Sequence, residues 1–327
     1  MRAIVITKPG DPDVLQVAER PVPEPAKGEV RVAVRAVGLN QADILQRRGK
    51  YPAASGWPAD IPGLEFAGIV DKIGIDAYGF ATGDRVFGLV GGGSYADYLV
   101  INVGCLAKVP DCLSFEEAAS VPEAFITAYD AMVSQAHLAS GENVLINGVA
   151  SGVGTAAVQI AKALGATTIG TSRSADKIAT AKEYGLDHGI VIKEFPFHEA
   201  VSTITNAQGV DVVLELVGGS YVGEDIEAAA QKGRIVLVGL MAGAKTEVSL
   251  AKILSKRLEI RGTTLRARPL EEKILANKTF EKHIVPLFGK GILKPVIDRV
   301  MPMTQAAAAH AYLEQGEHFG KIVLTFN

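Results

Sequence analysis

Glu142-Asn143-Val144-Leu145-Ile146-Asn147-Gly148-Val149-Ala150-Ser151-Gly152-Val153-Gly154-Thr155-Ala156-Ala157-Val158-Gln159-Ile160-Ala161-Lys162 is the stretch that decides the fold. Val144-Leu145-Ile146 is an apolar run of the kind that forms a buried parallel strand. A turn of small residues follows, from Gly148 to Gly154. Ala157, Ile160, Ala161 and Leu164 then fall at helical spacing on one face. Strand, glycine turn and helix in that order open a dinucleotide-binding βαβ unit. A helix N-terminus offers unpaired N–H groups and the positive end of its dipole, and both suit a pyrophosphate. The strict G-x-G-x-x-G fingerprint is absent. With Gly154 as its last glycine, the first two positions hold Val149 and Ser151. On this segment alone, a glycine-rich turn of another α/β protein reads the same way.

The next segment narrows the choice. Residues 167–171 read as the second strand, where an NAD-binding unit places an acid to hold the ribose 2′-OH. Here the chain has Ser172-Arg173-Ser174, with Lys177 one helical turn on. A missing acid removes repulsion toward a 2′-phosphate, and Arg and Lys supply charge-assisted donors. NADP(H) is therefore expected over NAD(H). Ser174 doubles as a helix N-cap. Further strands are expected at 188–192, 210–216, 233–239 and 258–264, with helical segments between most of them. Six such strands describe a doubly wound parallel sheet. Cofactors sit at the carboxyl ends of these strands. Ser151, Gly152, Val153 and Gly154 at the first turn, Ser172, Arg173 and Lys177 at the second strand, Val217 and Gly218 after the fourth, and Gly239, Leu240 and Met241 after the fifth are the expected contacts.

The bulk properties exclude several classes. The formal net charge of −3 gives no electrostatic case for nucleic acid or an anionic membrane. No apolar run approaches the ~18 residues of a membrane span. The first residues, MRAIVITKPG, read straight into a strand with no signal-peptide pattern. Two cysteines, Cys105 and Cys112, make neither a disulfide framework nor a zinc quartet. A cytoplasmic location is expected.

The first part of the chain reads differently. Short strands at 3–6, 29–37, 65–73, 85–89 and 94–101 alternate with Gly and Pro, as in a compact β-rich domain. Ser114-Phe115-Glu116-Glu117 is a capping box. After Thr264 the chain reads as a helical segment at 269–288, an extended piece at 295–300, a helix from Thr304 and a last strand at 320–326. This tail is assigned back to the first domain, whose strands have open edges. The division expected is 1–121 with 267–327 for one domain, and 122–266 for the dinucleotide-binding one. His310 and His318 read as surface or packing residues.

At this point the residues match a family. The chain resembles the zinc-independent quinone oxidoreductases of the medium-chain dehydrogenase/reductase superfamily, nearest to the p53-inducible quinone oxidoreductase subgroup. The resemblance rests on Asn40-Gln41-Ala42-Asp43 with Gln46-Arg47-Arg48-Gly49-Lys50-Tyr51, on Gly63-Leu64-Glu65, and on Val121-Pro122-Glu123-Ala124-Phe125-Ile126-Thr127-Ala128. It continues through residues 150–157, Gly218-Gly219-Ser220-Tyr221 and Gly239-Leu240-Met241, and ends at Gly320-Lys321-Ile322-Val323-Leu324. It implies an α/β chain with a GroES-like β-rich catalytic domain and a Rossmann domain.

The zinc enzymes of that superfamily put Cys, His and Cys where this chain has Asn40, Leu64 and Glu123. An amide, an alkyl chain and one carboxylate do not make a three-ligand catalytic zinc site, so no metal is expected. The resemblance implies NADPH as hydride donor and a quinone as acceptor, with an enone or 2-enoyl thioester as the alternative. It carries over Tyr51 and Ser151 as active-site residues, Asn40 as an orienting residue, and Thr127, Leu265 and Lys321 as further cofactor contacts. A tyrosyl hydroxyl with its ordinary pKa of ~10 stays protonated at neutral pH and can hydrogen-bond a developing oxyanion. Read as ordinary structure, Tyr51 is a packed loop aromatic, Ser151 a turn residue, Asn40 a helix cap and Thr127 a buried helix residue. Where the family often has a tyrosine beside the adenine, the chain has Ile192, so apolar packing is expected there. A homodimer is also implied, paired through the edge strand at 258–264.

Overall fold

The computed structural model describes residues 1–193 and 195–326. The chain divides into two compact units: Met1–Ile126 with Leu265–Asn327, and Thr127–Thr264.

The first unit begins with β1 (Arg2–Ile6) and β2 (Leu15–Glu19), an antiparallel pair. β3 (Glu29–Gly38) is the longest strand, and α1 (Gln41–Arg47) follows it directly. Then come β4 (Glu65–Ile73), β5 (Arg85–Leu89), β6 (Tyr98–Asn102) and β7 (Leu106–Lys108). Residues 94–97, expected as strand, make only an isolated bridge from Ala96 to Ala3. The predicted capping box closes α2 (Phe115–Ala119): Ser114 Oγ accepts from Glu117 N at 3.2 Å, and Glu117 Oε2 from Ser114 N at 2.8 Å. Next is α3 (Pro122–Tyr129), with proline at its first position, where a missing N–H costs nothing.

The second unit holds the alternation: β8 (Asn143–Ile146), α4 (Gly152–Leu164), β9 (Thr167–Ser172), α5 (Ala175–Glu183), β10 (His188–Val191), α6 (His198–Ile204), β11 (Val210–Glu215), α7 (Tyr221–Ala228), β12 (Ala229–Leu237), α8 (Leu250–Lys256) and β13 (Glu259–Gly262). The sheet is parallel throughout, in the order β10-β9-β8-β11-β12-β13. That is a doubly wound sheet, with the order reversing beside its first strand. Val144, Leu145 and Ile146 are fully buried, as strands covered on both faces must be. Two expected strands differ in extent. β12 starts four residues before the predicted Gly233, with a register shift opposite Val210 and a left-handed Lys232 at φ +62°. β13 is shorter than predicted, and all four of its residues are exposed on the sheet edge.

The tail returns to the first unit as α9 (Leu270–His283), α10 (Val285–Gly289), β14 (Ile297–Pro302), α11 (Ala306–Gln315) and β15 (Lys321–Thr325). The helix predicted at 269–288 is broken between α9 and α10. Pro286 has no N–H for an intrahelical bond, and its ring would clash one turn back. β15 joins the unit's main sheet, ordered β14-β15-β3-β4-β5-β7, with β6 also on β3. Among the described residues, no helix is long and apolar enough to cross a membrane.

Candidate functional site

In the first unit the site grows from the end of β3. Gly38 closes that strand, with β15 on one side and β4 on the other. Lys321 and Glu65, the first residues of β15 and β4, are thereby brought together. A Cβ at Gly38 would overlap the Glu65 carboxylate, so only glycine leaves room for it. Lys321 Nζ pairs with Glu65 Oε1 at 2.5 Å and donates to Leu39 O and Asn40 Oδ1, each at 2.6 Å. Asn40 Nδ2 donates to Glu65 Oε1 at 2.9 Å and to Gly38 O at 3.3 Å. Glu123 N, at the start of α3, supplies Glu65 Oε2 at 2.8 Å. Glu65 is 0% and Lys321 5% exposed, so this is a desolvated ion pair with its lone pairs and protons taken up.

Asn40 sits at the N-cap of α1, the helix-cap reading of the sequence. Its backbone N–H donates to Asp43 Oδ2 at 2.9 Å, while its side chain turns inward to the ion pair. Lys321, expected at the cofactor, directs its ammonium group at three protein oxygens. Leu64 is buried. Among the described residues, no group of three His, Cys, Asp or Glu could hold a metal ion.

Behind this pair lies a second buried polar layer. Asp43 accepts from Gly63 N at 3.0 Å and Tyr95 OH at 3.4 Å, and burial raises its pKa to about 6. Tyr95 OH also lies 3.2 Å from His310 Nε2. Burial, with the nearby Arg47 guanidinium, lowers His310 to about 3, so the ring is neutral and serves packing.

Tyr51 lies in the loop after α1, half-buried. The Arg266 guanidinium carbon sits 4.8 Å from the centre of its ring, a cation–π contact. Arg266 ties three segments together: Nε donates to Gly91 O at 2.9 Å, Nη2 to Gln46 Oε1 at 2.5 Å and Nη1 to Tyr51 O at 3.4 Å. A Cβ at Gly91 would overlap the Trp57 indole unless that ring shifted. The ring of Tyr51 is thus clamped, while its hydroxyl has no hydrogen-bond partner among the described residues. Burial raises its pKa, against the pull of Arg266, so it stays protonated. Sequence reasoning missed Arg266, Gln46 and the Glu65–Lys321 pair. Each gains its meaning from a partner 25 to 282 positions away in the chain, and no local pattern marks that.

In the second unit, the predicted cofactor residues gather at the carboxyl ends of β8, β9, β11 and β12. Gly148 takes the left-handed conformation, φ +71°, that the turn demands. Ser151 is the N-cap of α4, its Oγ accepting from Gly154 N at 3.0 Å. Gly154 packs so closely on the turn that a Cβ would overlap Gly148 O and Val149 O. A buried amide pins the strand ends to one another. Asn147 Nδ2 donates to Glu215 Oε2 at 2.5 Å and Asp225 Oδ1 at 2.7 Å, and its Oδ1 accepts from Thr171 Oγ1 at 2.9 Å. Glu215 Oε1 in turn accepts from Val217 N and Gly218 N, fixing that loop. Burial and the neighbouring Glu215 raise Asp225 well above the usual carboxylate range.

At the end of β9, Ser172 Oγ accepts from Ser174 N, and Ser174 caps α5 through Lys177 N at 3.3 Å. Arg173 is exposed and Lys177 half-buried. Leu240 and Met241 are exposed beside Gly239, and Thr127 and Leu265 are buried. Ile192 belongs to the hydrophobic core, but three residues on stands Phe195, edge-on to Tyr221 at 5.4 Å, with Phe197 beside both. Arg173 acts electrostatically on Tyr221, so a cation and two partly exposed rings share this corner.

Two family models match the chain: "Alcohol dehydrogenase GroES-like domain" over residues 26–111 and "Zinc-binding dehydrogenase" over residues 152–281. A quinone oxidoreductase of Lama guanicoe is 30% identical over 328 residues, covering 99% of this chain and 97% of that one. The structure of Escherichia coli quinone oxidoreductase complexed with NADPH superposes with a TM-score of 0.89 at 29% identity, covering the whole of both chains. That of CurK enoyl reductase superposes with a TM-score of 0.86 at 27% identity, covering 100% of this chain and 99% of that one.

Proposed function

The chain belongs to the medium-chain dehydrogenase/reductase superfamily, and on that footing we propose that it is a zinc-independent NADPH:quinone oxidoreductase. The observation that carries this reading is the Tyr51 hydroxyl, held by a clamped ring and left without a partner. A preorganised donor of this kind stabilises charge that develops on an acceptor oxygen. No metal ligand set is needed beside it, because quinones and activated enones accept hydride readily.

The second unit fits a dinucleotide. Gly154 keeps the α4 N-terminus tight against its turn, and the first N–H groups of a helix have no acceptor within it. The amide of Asn147 and the carboxylate of Glu215 fix the loops at Gly148 and Val217-Gly218. Arg173 replaces the acidic ribose clamp, and Phe195 with Tyr221 offers aromatic faces. When bound, a reduced nicotinamide supplies the hydride. The residues of the chain orient it, polarise the acceptor oxygen through Tyr51, and keep the Glu65–Lys321 charge pair out of water.

Arg173→Ala should weaken NADPH binding roughly tenfold or more and leave NADH nearly unchanged, since a charge-assisted hydrogen bond contributes about 1.5–3 kcal/mol. Titration of cofactor fluorescence reads this out, and equal losses for both cofactors would remove Arg173 from the 2′-phosphate site.

The likeness to an enoyl reductase supports a second acceptor class, 2-enoyl thioesters, for the same tyrosine donor. Following NADPH oxidation against ortho-quinones, para-quinones, enones and enoyl thioesters decides between them. Fastest turnover with quinones is expected. Turnover confined to enoyl thioesters would replace the quinone reading, and no turnover with any acceptor would end both.

A further inference from the structure

Pro122-Glu123 begins α3, and this geometry gives Glu123 two distinct jobs. Its backbone N–H, an orphan of the first helical turn, is spent on Glu65 Oε2 at 2.8 Å. Its side chain is half-buried, and among the described residues its carboxyl group makes no hydrogen bond. The charged and titratable groups that face it come from four other places: Glu65 on β4, Lys321 on β15, Asp43 on α1 and Arg266 after β13. Glu123 also acts on Tyr51, the proposed hydrogen-bond donor. A carboxylate near a helix N-terminus is ordinarily stabilised by the dipole. Here burial outweighs that, the neighbouring Glu65 adds repulsion, and the pKa rises to about 8. Lys321 and Arg266 pull the other way, but Lys321 is already neutralised by Glu65.

We propose that the Glu123 carboxyl group is the acid that completes the reduction, beside the Tyr51 hydroxyl that polarises the acceptor. The proposal rests on the quinone or enone reading given above. Hydride from the reduced nicotinamide brings an electron pair to the acceptor, leaving a hydroquinone monoanion or an enolate. The Glu123 O–H bond then breaks and its proton moves to that anion. The carboxylate left behind takes a proton from water. The transfer runs downhill for a quinone, because a phenolic product with an ordinary pKa of ~10 holds a proton more tightly than an acid of pKa about 8.

Two measurements on the intact protein test this, one of them independent of turnover. In the wild type, kcat should fall as pH rises through about 8, where Glu123 loses its proton. Glu123→Gln should lower kcat on the order of 10²-fold, within the range removed with a general acid, and abolish that limb. Glu123→Asp, which restores an acid, should recover part of the rate and bring a limb back. Thermal unfolding supplies the second readout. A carboxyl whose pKa is raised on folding binds more protons folded than unfolded between its two pKa values, so stability falls as pH rises across that window. Wild type and Glu123→Gln should therefore melt together only near pH 4, below the ordinary carboxyl range, and the variant should melt progressively higher as pH rises to 9. A limb that survives in Glu123→Gln, or melting curves that stay together at pH 9, would overturn the role of Glu123 while leaving the reductase reading intact. A wild-type protein that reduces no acceptor would overturn that reading, and the acid with it.

Discussion

Lys321→Met is expected to destabilise the protein by about 3–5 kcal/mol, the loss typical of breaking a buried ion pair. Methionine fills much the same volume, so the loss reports charge rather than a cavity. It leaves Glu65, which is 0% exposed, as an uncompensated anion. It also strips a donor from Leu39 O and Asn40 Oδ1. Urea unfolding of each variant reads the change. The double variant Lys321→Met, Glu65→Gln should recover most of the loss, because the stranded charge is gone. If Lys321→Met costs under about 1 kcal/mol, the range of an exposed pair, the ion pair is not desolvated and the description of this site fails.

Tyr51→Phe is the second large effect. The ring, its contact with Arg266 and the backbone bonds of that loop are retained, so only the hydroxyl is removed. Loss of one preorganised donor costs about 10²–10³ in rate at demanding sites. Quinones are reactive, and for them a fall nearer tenfold is expected, growing toward the full range with less electrophilic enones. NADPH affinity should barely change. A rise in KM alone, equal for every acceptor, would make the ring a binding surface without chemical function.

The parallel sheet and the phosphate turn were legible because their signals are local. A buried apolar triplet, a turn that requires φ > 0 at Gly148, and a capping serine lie within a dozen residues. The β-rich unit was legible as a class, though its register was not, since pairing such as Val323 with Gly38 joins opposite ends of the chain. Of the residues expected at the site, Tyr51 and Ser151 stand where a loop and a helix cap present them. Asn40 and Lys321 are different: their polar groups face one another and Glu65 rather than outward. Residue type and motif named them, but the direction of a side chain depends on three strands that the sequence does not align. Arg266 was invisible for the same reason, as was the clamp it places on Tyr51. Ile192 packs in the apolar core, whereas the aromatic corner at Phe195 and Tyr221 joins residues from two separate segments.

On the reading proposed above, Asn40, Leu64 and Glu123 stand where the resemblance puts the ligands of the superfamily's zinc enzymes, and the chemistry proceeds without a metal. Quinone turnover with NADPH, measured before and after exhaustive chelation with zinc followed by elemental analysis, tests this most directly. The expected result is an unchanged rate in protein carrying no stoichiometric zinc. Activity that is lost on chelation and restored by added zinc would contradict it.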